Sequence, residues 1–477
     1  MLFNSFEFLA FFPIVCIVYF LIPSNKYRNL FLLGASYYFY MCWEPAYALL
    51  LLASTTITYL AAIGISKYGN YKKLFLVVSL ILNLSILFFF KYFNWMADNV
   101  TYVMDAWGVS MNVPEFKVLL PVGISFYIFQ ALGYSIDVYR GHVKIEKNFF
   151  IYALFVSFFP QLVAGPIERS TNLLKQFYEK HQFDGERAIR GINLILWGFF
   201  LKIVVADNLS IYVDSVYNDM EGNPGSSIFV ASILFCFQLY GDFAGYSYIA
   251  IGTSKVLGFR LMDNFVRPYF FSVSVQDFWK RNHISLTTWF MDYVYYPMVG
   301  TSINLYWWCS CIFITFFISG FWHGANWTYV ISFSIFGFYL VVCLLKDRKQ
   351  RQFENKYRLK KKEWWVWLNR VLTFLLVMIA LVFFRANTVD DGFRAVFRIF
   401  TDISISYLWY DFCFYFNKGI WMILLLLFII EYTIEYKRTS FIERHFLASY
   451  IAMGGMLIIL ILSLGEFNGG QFIYFQF

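Results

Sequence analysis

The sequence predicts an all-α polytopic membrane protein, and three observations carry the prediction. Of 477 residues, 60% are hydrophobic and only 14% charged, where a soluble protein carries about 25% charged residues. Mean hydropathy is accordingly high, at +0.58. Apolar runs recur along the chain, each near the roughly 20 residues that a helix needs to cross about 30 Å of hydrocarbon. Finally, the turns between the runs alternate in their Lys and Arg content, as cytoplasmic and outer loops do.

The first run, 6–22, lacks a basic leader and a small-residue cleavage site, so it reads as a span and not as a signal peptide. Further spans are expected at 29–43, 46–65, 74–91 and 118–138. The turns after the first, third and fifth spans are basic (Lys26, Arg28; Lys67, Lys72, Lys73; Arg140, Lys144, Lys147). The 92–117 loop instead sets Asp98, Asp105 and Glu115 against Lys117, which puts the N-terminus outside. The run 148–165 would break this alternation if it crossed, because Arg169, Lys175, Lys180, Arg187 and Arg190 follow it. Pro160 and Gly165 interrupt it, so a re-entrant segment is expected, shielded by protein or lining a wet cavity.

Alternation resumes with 190–207. The next loop carries Asp214, Asp219 and Glu221, and 227–258 returns to Arg260, Arg267, Lys280 and Arg281. Residues 284–300 again read as re-entrant or interfacial. Runs 303–320 and 326–345 form a hairpin, followed by a 346–362 loop whose "KDRKQRQFENKYRLKKKEWW" stretch is the strongest cytoplasmic marker. Spans at 366–384, 418–436 and 447–465 complete the chain, with Lys437, Arg438 and Arg444 inside and both termini outside. The sum is about 12 spans plus two re-entrant pieces in a single domain, 1–477, with no internal repeat. The net charge of +8 follows from loop bias and calls for no nucleic-acid partner. The seven cysteines are scattered without CxxC spacing, so no metal site is expected.

Five histidines occur. His142, His181 and His445 sit among charges and read as solvated loop residues. His323 lies in "FISGFWHGANWTYV", inside the apolar hairpin. Ionisable groups at membrane depth are costly and usually face a cavity or a partner, and flanking Gly320 and Gly324 allow close approach of backbone or ligand. A buried imidazole that stays neutral is what a general base requires. A plain interhelical hydrogen bond is the competing reading.

His283 lies in "SVQDFWKRNHISLTTWFMDYVYYP". If the segment is helical, Trp279, His283 and Thr287 share a face and Asp277 pairs with Arg281. An interfacial amphipathic helix accounts for much of this segment but not for Asn282–His283 leading into an apolar stretch. Asp137, Gln161, Gln238, Asp242, Tyr246 and Asp292 are further polar residues in apolar surroundings, with interhelical hydrogen bonding as the default. Asp242 and Asp292 are the two that could orient a histidine or line a cavity. No P-loop, GxSxG elbow or HExxH motif is present.

At the two histidine segments the chain resembles the membrane-bound O-acyltransferase (MBOAT) family. It is most similar to the bacterial branch of alginate and peptidoglycan O-acetylation membrane proteins. The similarity runs nearly end to end, through "FNSFEFLAFFPIV", "RNLFLLGASYYFY", "LPVGISFYIFQALGYSIDVYRG", "FFPQLVAGPIERS", "FWKRNHISLTTWFMDYVYYP", "FWHGANWTYV" and "FIYFQF". It implies an MBOAT fold of helices and re-entrant segments around a thinned centre with a tunnel, and catalytic segments within 118–345.

The resemblance further implies a bacterial cytoplasmic-membrane enzyme. It would move an acetyl group from cytoplasmic acetyl-coenzyme A towards hydroxyls of an extracytoplasmic polysaccharide, directly or through a secreted SGNH-type partner. No permanently bound cofactor is implied. His323 matches the family's essential histidine and would act as general base. His283 matches the second polar position and, with Asn282, would position the donor or polarise its carbonyl. Trp279, Trp322, Asn326 and Asp242 would line the substrate path. Lys280, Arg281 and the 346–362 loop could attract coenzyme phosphates, although membrane topology alone also explains that loop. D-alanyl or other acyl transfer to an envelope polymer, a transporter-like subunit and an anchoring scaffold are the alternatives.

Overall fold

The computed structural model describes the chain except residues 110–112, 114–115, 117–119, 164, 267, 418, 437–445, 468–471 and 474–477. Glu115, Lys117, Arg267, Lys437, Arg438, Arg444, His445 and the last four residues of "FIYFQF" lie outside the described residues. All regular elements among the described residues are helical. They form two compact units, one of Met1–Ile195 with Tyr246–Met262, the other of Leu196–Gly245 with Asp263–Ile473.

The first unit begins with α1 (Phe6–Leu21), α2 (Asn25–Met41), α3 (Tyr47–Lys67) and α4 (Lys72–Lys91). Ser5 caps α1 by accepting the Phe8 N–H, as a good N-cap does. Between α3 and α4, Ser54 Oγ donates to Asn83 Oδ1 at 2.5 Å, with both residues fully buried. The stretch expected as a loop after α4 instead holds a further helix, α5 (Phe93–Ala106). α6 (Ile124–Arg140) follows.

The run 148–165 is broken where Pro160 suggests. α7 (Phe149–Ser157) stops at Phe158, whose ψ is 108°, and the short α8 (Phe159–Leu162) restarts with Pro160 in its first turn. The freed backbone groups find partners inside the unit. Ser36 Oγ accepts the Phe159 N–H at 3.1 Å, and Gln130 and Gln161 side chains both donate to the Phe155 carbonyl. This is how non-helical backbone is tolerated in an apolar interior, and it uses the Gln161 picked out in the sequence.

Beyond the break, the loop leading to α9 (Leu173–Gln176) is fastened by Glu168, which is 1% exposed. Its carboxylate accepts from the Met262 N–H and, at 2.8 Å, from Asn172 Nδ2. Burial outweighs these bonds and pushes the carboxyl pKa up to about 7. The folded chain therefore keeps a proton here that the unfolded chain has already lost. Stability from this group is greatest at low pH and falls as pH rises from about 4.5 through about 7. Glu168→Gln should flatten that decline and raise the thermal midpoint at pH 8 relative to wild type. Melting curves from pH 5 to 8 in detergent check this, and parallel curves for the two proteins would contradict it.

The second unit centres on two long helical stretches. α10 (Gly185–Phe199) passes through a π-helical turn (Phe200–Ala206) into α11 (Asp207–Tyr217). α12 (Gly225–Leu257) runs for 33 residues, about 50 Å at 1.5 Å per residue. Both stretches contribute residues to each unit. Gly241 and Gly245 let α12 approach the π-helical turn closely. A Cβ on Gly241 would come within 2.8 Å of the Leu201 carbonyl, and one on Gly245 equally near that of Gly198. At this contact Lys202 Nζ lies 2.7 Å from both Asp207 Oδ1 and Asp242 Oδ1. The second Asp242 oxygen accepts the Ile473 N–H at 2.7 Å, so a buried ion cluster holds the backbone near the end of the chain.

After α12 come five short helical elements: a 3₁₀ turn (Tyr269–Phe271), α13 (Val275–Arg281), α14 (Ile284–Phe290), a π-helical turn (Met291–Tyr295) and α15 (Tyr296–Val299). The expected hairpin follows as α16 (Leu305–His323) and α17 (Trp327–Lys356). α17 carries the basic 346–362 stretch in helical form as far as Lys356, where a loop was expected. The unit closes with α18 (Glu363–Arg385), α19 (Val389–Thr401), α20 (Ile405–Asn417), α21 (Ile420–Tyr436) and α22 (Phe446–Leu464). α19 was not foreseen. It opens on a capping box in which Thr388 and Asp391 satisfy each other's backbone N–H.

Seven helices among the described residues are long and apolar enough to cross a membrane, and three shorter ones are comparably apolar. The protein is a multi-pass membrane protein. The expected figure of about 12 spans exceeds the helices that meet this measure, partly because apolar helices such as α1, at 16 residues, are short.

Candidate functional site

The site lies in the second unit and is built on a helix break. Ser274 caps α13 by accepting the Asp277 N–H, and Asp277 pairs with Arg281 at 3.0 Å, as the sequence predicts. The helix does not run on through His283. Asn282 turns extended, and His283 takes the left-handed conformation with φ 48° and ψ 50°. A non-glycine residue there is uncommon, though His, Asn and Asp are several-fold enriched. The continuous face joining Trp279, His283 and Thr287 is thus corrected: the break separates Trp279 on α13 from Thr287 on α14.

Asn264 holds this break. Its backbone carbonyl accepts the Ile284 N–H at 3.1 Å. Its side-chain Oδ1 accepts from the Ser285 N–H at 3.2 Å and Ser285 Oγ at 2.9 Å, and lies 3.2 Å from His283 Nδ1. Asn264 is fully buried and His283 is 2% exposed. Sequence reasoning missed Asn264, because nothing in "RLMDNFVRP" links it to a histidine 19 residues later.

His323 is the last residue of α16 and is 3% exposed. Beyond it the chain turns through Gly324 and Ala325 to Asn326, which caps α17 by accepting the Thr328 N–H. Gly320 is needed for the hairpin: a Cβ there would lie 2.8 Å from Val330 Cα and 3.2 Å from Phe333 Cβ. Gly324 has extended backbone (φ −172°) that any residue adopts. The close crossing at Gly320 brings Phe333 under the imidazole, with ring centres 4.2 Å apart and planes 26° from parallel.

The two imidazoles come together. Their ring centres are 6.3 Å apart, and Trp322 lies 4.8 Å from His323 and 5.9 Å from His283. Phe243 packs edge-on against His283 at 4.4 Å, and Phe384 approaches His323 at 5.8 Å. Two histidines 40 residues apart thus share one aromatic chamber. Such a pair can take and return protons in a setting of low dielectric, where each polar interaction counts for more than in water.

A cavity of about 280 Å³ opens beside this chamber. Its α16 wall is Ile312, Thr315, Phe316 and Ser319, and Ser319 stands one helical turn before His323. Trp279 and Lys280 of α13 also line it, as do Leu340 and Leu344 of α17. Trp279 separates cavity from chamber in part, touching Phe316, Phe333 and Phe336. Lys280 is exposed. The walls are almost wholly apolar, with a cation at the rim, which suits a ligand with a charged head and a slim uncharged arm.

The remaining sequence-predicted residues divide. Trp322 joins the chamber, while Trp279 and Lys280 join the cavity. Arg281 is engaged by Asp277 and, at 3.2 Å, by Glu435. Asn282 forms the break, its N–H bonded to the Phe278 carbonyl. Asn326 spends its side chain on the α17 cap and on the Asn387 carbonyl. Asp242 is held by Lys202 and Ile473, although its neighbour Phe243 packs against His283. Asp292, read as buried, is exposed. His142 is exposed near Asp137, whereas His181, expected in solvent, is half-buried edge-on to Phe259. That burial lowers its pKa.

Comparisons with known proteins converge on one group. A family model described as MBOAT, membrane-bound O-acyltransferase family, matches residues 144–388, which include both histidines. The chain is 35% identical over 406 residues to the probable alginate O-acetylase AlgI of Azotobacter vinelandii, spanning 84% of this chain and 78% of that one. It is 31% identical over 429 residues to the peptidoglycan O-acetyltransferase of Helicobacter pylori, spanning 83% and 79%. A more distant similarity, 27% over 285 residues, links it to the teichoic acid D-alanyltransferase of Bacillus subtilis and spans 57% and 71%.

Proposed function

The chain belongs to the membrane-bound O-acyltransferase family, and from that premise we propose that it carries an acetyl group from cytoplasmic acetyl-coenzyme A to hydroxyls of an extracytoplasmic polysaccharide. The observation that supports this reading most is the pair of buried imidazoles, 6.3 Å apart, beside an apolar cavity with Lys280 at its rim. The acetylated acceptor follows the alginate and peptidoglycan named for the relatives. An SGNH-type secreted partner would complete transfer where the polymer cannot reach the chamber.

In this reading the donor's phosphates meet Lys280, with Arg281 and the basic end of α17 adding to the field. The pantetheine arm lies along Thr315, Phe316 and Ser319, and the thioester carbonyl reaches the chamber past Trp279 and Trp322. His323 acts as general base: it takes the proton of the acceptor hydroxyl as that oxygen attacks the acyl carbon. The carbon–sulfur bond then breaks, and the coenzyme thiolate leaves carrying the electron pair. His283, set by the break at Asn282, positions the reacting groups. Asn326 holds the turn after His323, and Asp242 holds the helix that carries Phe243. Residues 1–477 act as one domain in the bacterial cytoplasmic membrane with both termini outside. The matched stretch 144–388 draws on both compact units, which favours a single working domain.

Transfer of D-alanine is the second reading, favoured by the similarity to a teichoic acid D-alanyltransferase. Purified protein in nanodiscs, given acetyl-coenzyme A or a D-alanyl carrier-protein thioester, separates the two. Thiol release together with label on a polysaccharide acceptor is expected from the first donor. Turnover of the second donor alone would overturn the acetyl assignment.

The cavity gives a further expectation. Ser319→Phe places a ring in the donor path one turn from His323. It should raise KM for the donor by about tenfold, the equivalent of about 1.4 kcal/mol, with melting temperature little changed. Donor titration of initial rates tests this, and an unchanged KM would exclude the cavity as the donor path.

A further inference from the structure

The hydrogen-bond pattern at Asn264 has a chemical consequence for His283. The Asn264 side-chain atom that faces His283 also receives the Ser285 backbone N–H at 3.2 Å. A backbone N–H can only donate, so that atom is the amide oxygen and not the nitrogen. Ser285 Oγ donates to the same oxygen at 2.9 Å. An amide oxygen carries no proton, so the 3.2 Å contact to His283 Nδ1 requires Nδ1 to carry the hydrogen. In neutral imidazole only one nitrogen is protonated, and the other then holds the lone pair.

We propose that Asn264 is a positioning residue that fixes His283 in its Nδ1–H tautomer, so that Nε2 is the ring's acceptor nitrogen. This rests on the acyl-transfer reading for its consequence but not for its geometry. A neutral His283 in this tautomer accepts a proton or a hydroxyl hydrogen bond at Nε2 and cannot polarise a thioester carbonyl there, since that task needs a donor. His283 is thereby assigned to the hydroxyl side of the reaction, where it orients the nucleophile beside His323.

The same residue explains the backbone. A left-handed non-glycine residue is strained and persists only where its surroundings hold it. Asn264 receives the N–H groups of Ile284 and Ser285, which follow His283 directly. One buried side chain and its own carbonyl thus set both the turn and the ring's proton.

The test reads the tautomer directly. Protein with ¹⁵N-labelled histidine is measured by multiple-bond ¹H–¹⁵N correlation, with His283 assigned by difference from His283→Gln. The expected pattern is a protonated Nδ1 and an unprotonated Nε2. A protonated Nε2 in wild type would overturn the proposal whether or not the protein transfers acetyl groups. Asn264→Asp keeps an acceptor at Nδ1 and should retain the tautomer. Asn264→Leu removes the acceptor and should shift the population to Nε2–H, with kcat falling about 10- to 100-fold and donor KM unchanged. If Asn264→Leu does not fold, the wild-type and Asn264→Asp spectra decide alone. A well-folded Asn264→Leu chain that keeps the wild-type tautomer would also contradict it.

Discussion

Replacing His323 by alanine is expected to lower acyl transfer by about 10²- to 10⁴-fold, the range that a positioned general base contributes. The imidazole is the last group of α16, buried and stacked on Phe333, and it meets Trp322 and His283. Alanine would also leave a void in this packing, and voids of that kind destabilise. His323→Gln is the sharper variant, because it keeps most of the side-chain volume and can still form hydrogen bonds but cannot act as a base near neutral pH. Its melting temperature should stay within a few degrees of wild type while its rate falls as far as that of alanine. Donor KM should change little in either variant, since the cavity along Ile312, Thr315 and Ser319 is intact. Near-normal turnover in folded His323→Gln would remove the base from the mechanism.

The second large effect falls on stability. Lys202, Asp207 and Asp242 are all nearly fully buried, with both carboxylates 2.7 Å from the ammonium. Lys202→Met strands two buried carboxylates. Breaking a buried pair in this way typically costs about 3–5 kcal/mol, because the remaining charge has no compensation. The thermal midpoint in detergent should fall by many degrees. Adding Asp207→Asn and Asp242→Asn to Lys202→Met removes the stranded charge and should recover most of the loss. In that triple variant the new amide oxygen at position 242 can still accept the Ile473 N–H. A single Lys202→Met chain as stable as wild type would show that the cluster contributes nothing net.

Much of this organisation could be read from the chain. The hairpin around His323 is visible as two apolar runs with a polar turn, and the break after Ser157 is signalled by Pro160, whose ring lacks an N–H and crowds the preceding turn. Both histidines stand out because apolar segments rarely contain them. The break at His283 is hidden, since neither proline nor glycine marks it and its cause, Asn264, is distant in sequence. Lys202 escaped notice for a related reason: one basic residue in an apolar run has no visible partner until α12 brings Asp242 against it. The helix α5 falls where a loop is expected and α19 where no element is expected, because their polar faces dilute the hydropathy signal. The roles assigned to Arg281 and Asn326 drew on residue type alone, and their partners Glu435 and Thr328 give each a structural task as well.

The most direct test of the central claim uses proteoliposomes in which the protein has one known orientation, with labelled acetyl-coenzyme A on the cytoplasmic face only and a polysaccharide acceptor on the opposite face only. Where a secreted partner is needed, it is supplied on the acceptor side. Label is predicted to reach the acceptor with stoichiometric release of thiol on the donor side, and His323→Gln should abolish both. Transfer that proceeds only when donor and acceptor share a face, or that persists undiminished in His323→Gln, would contradict acyl transfer across the membrane at this histidine pair.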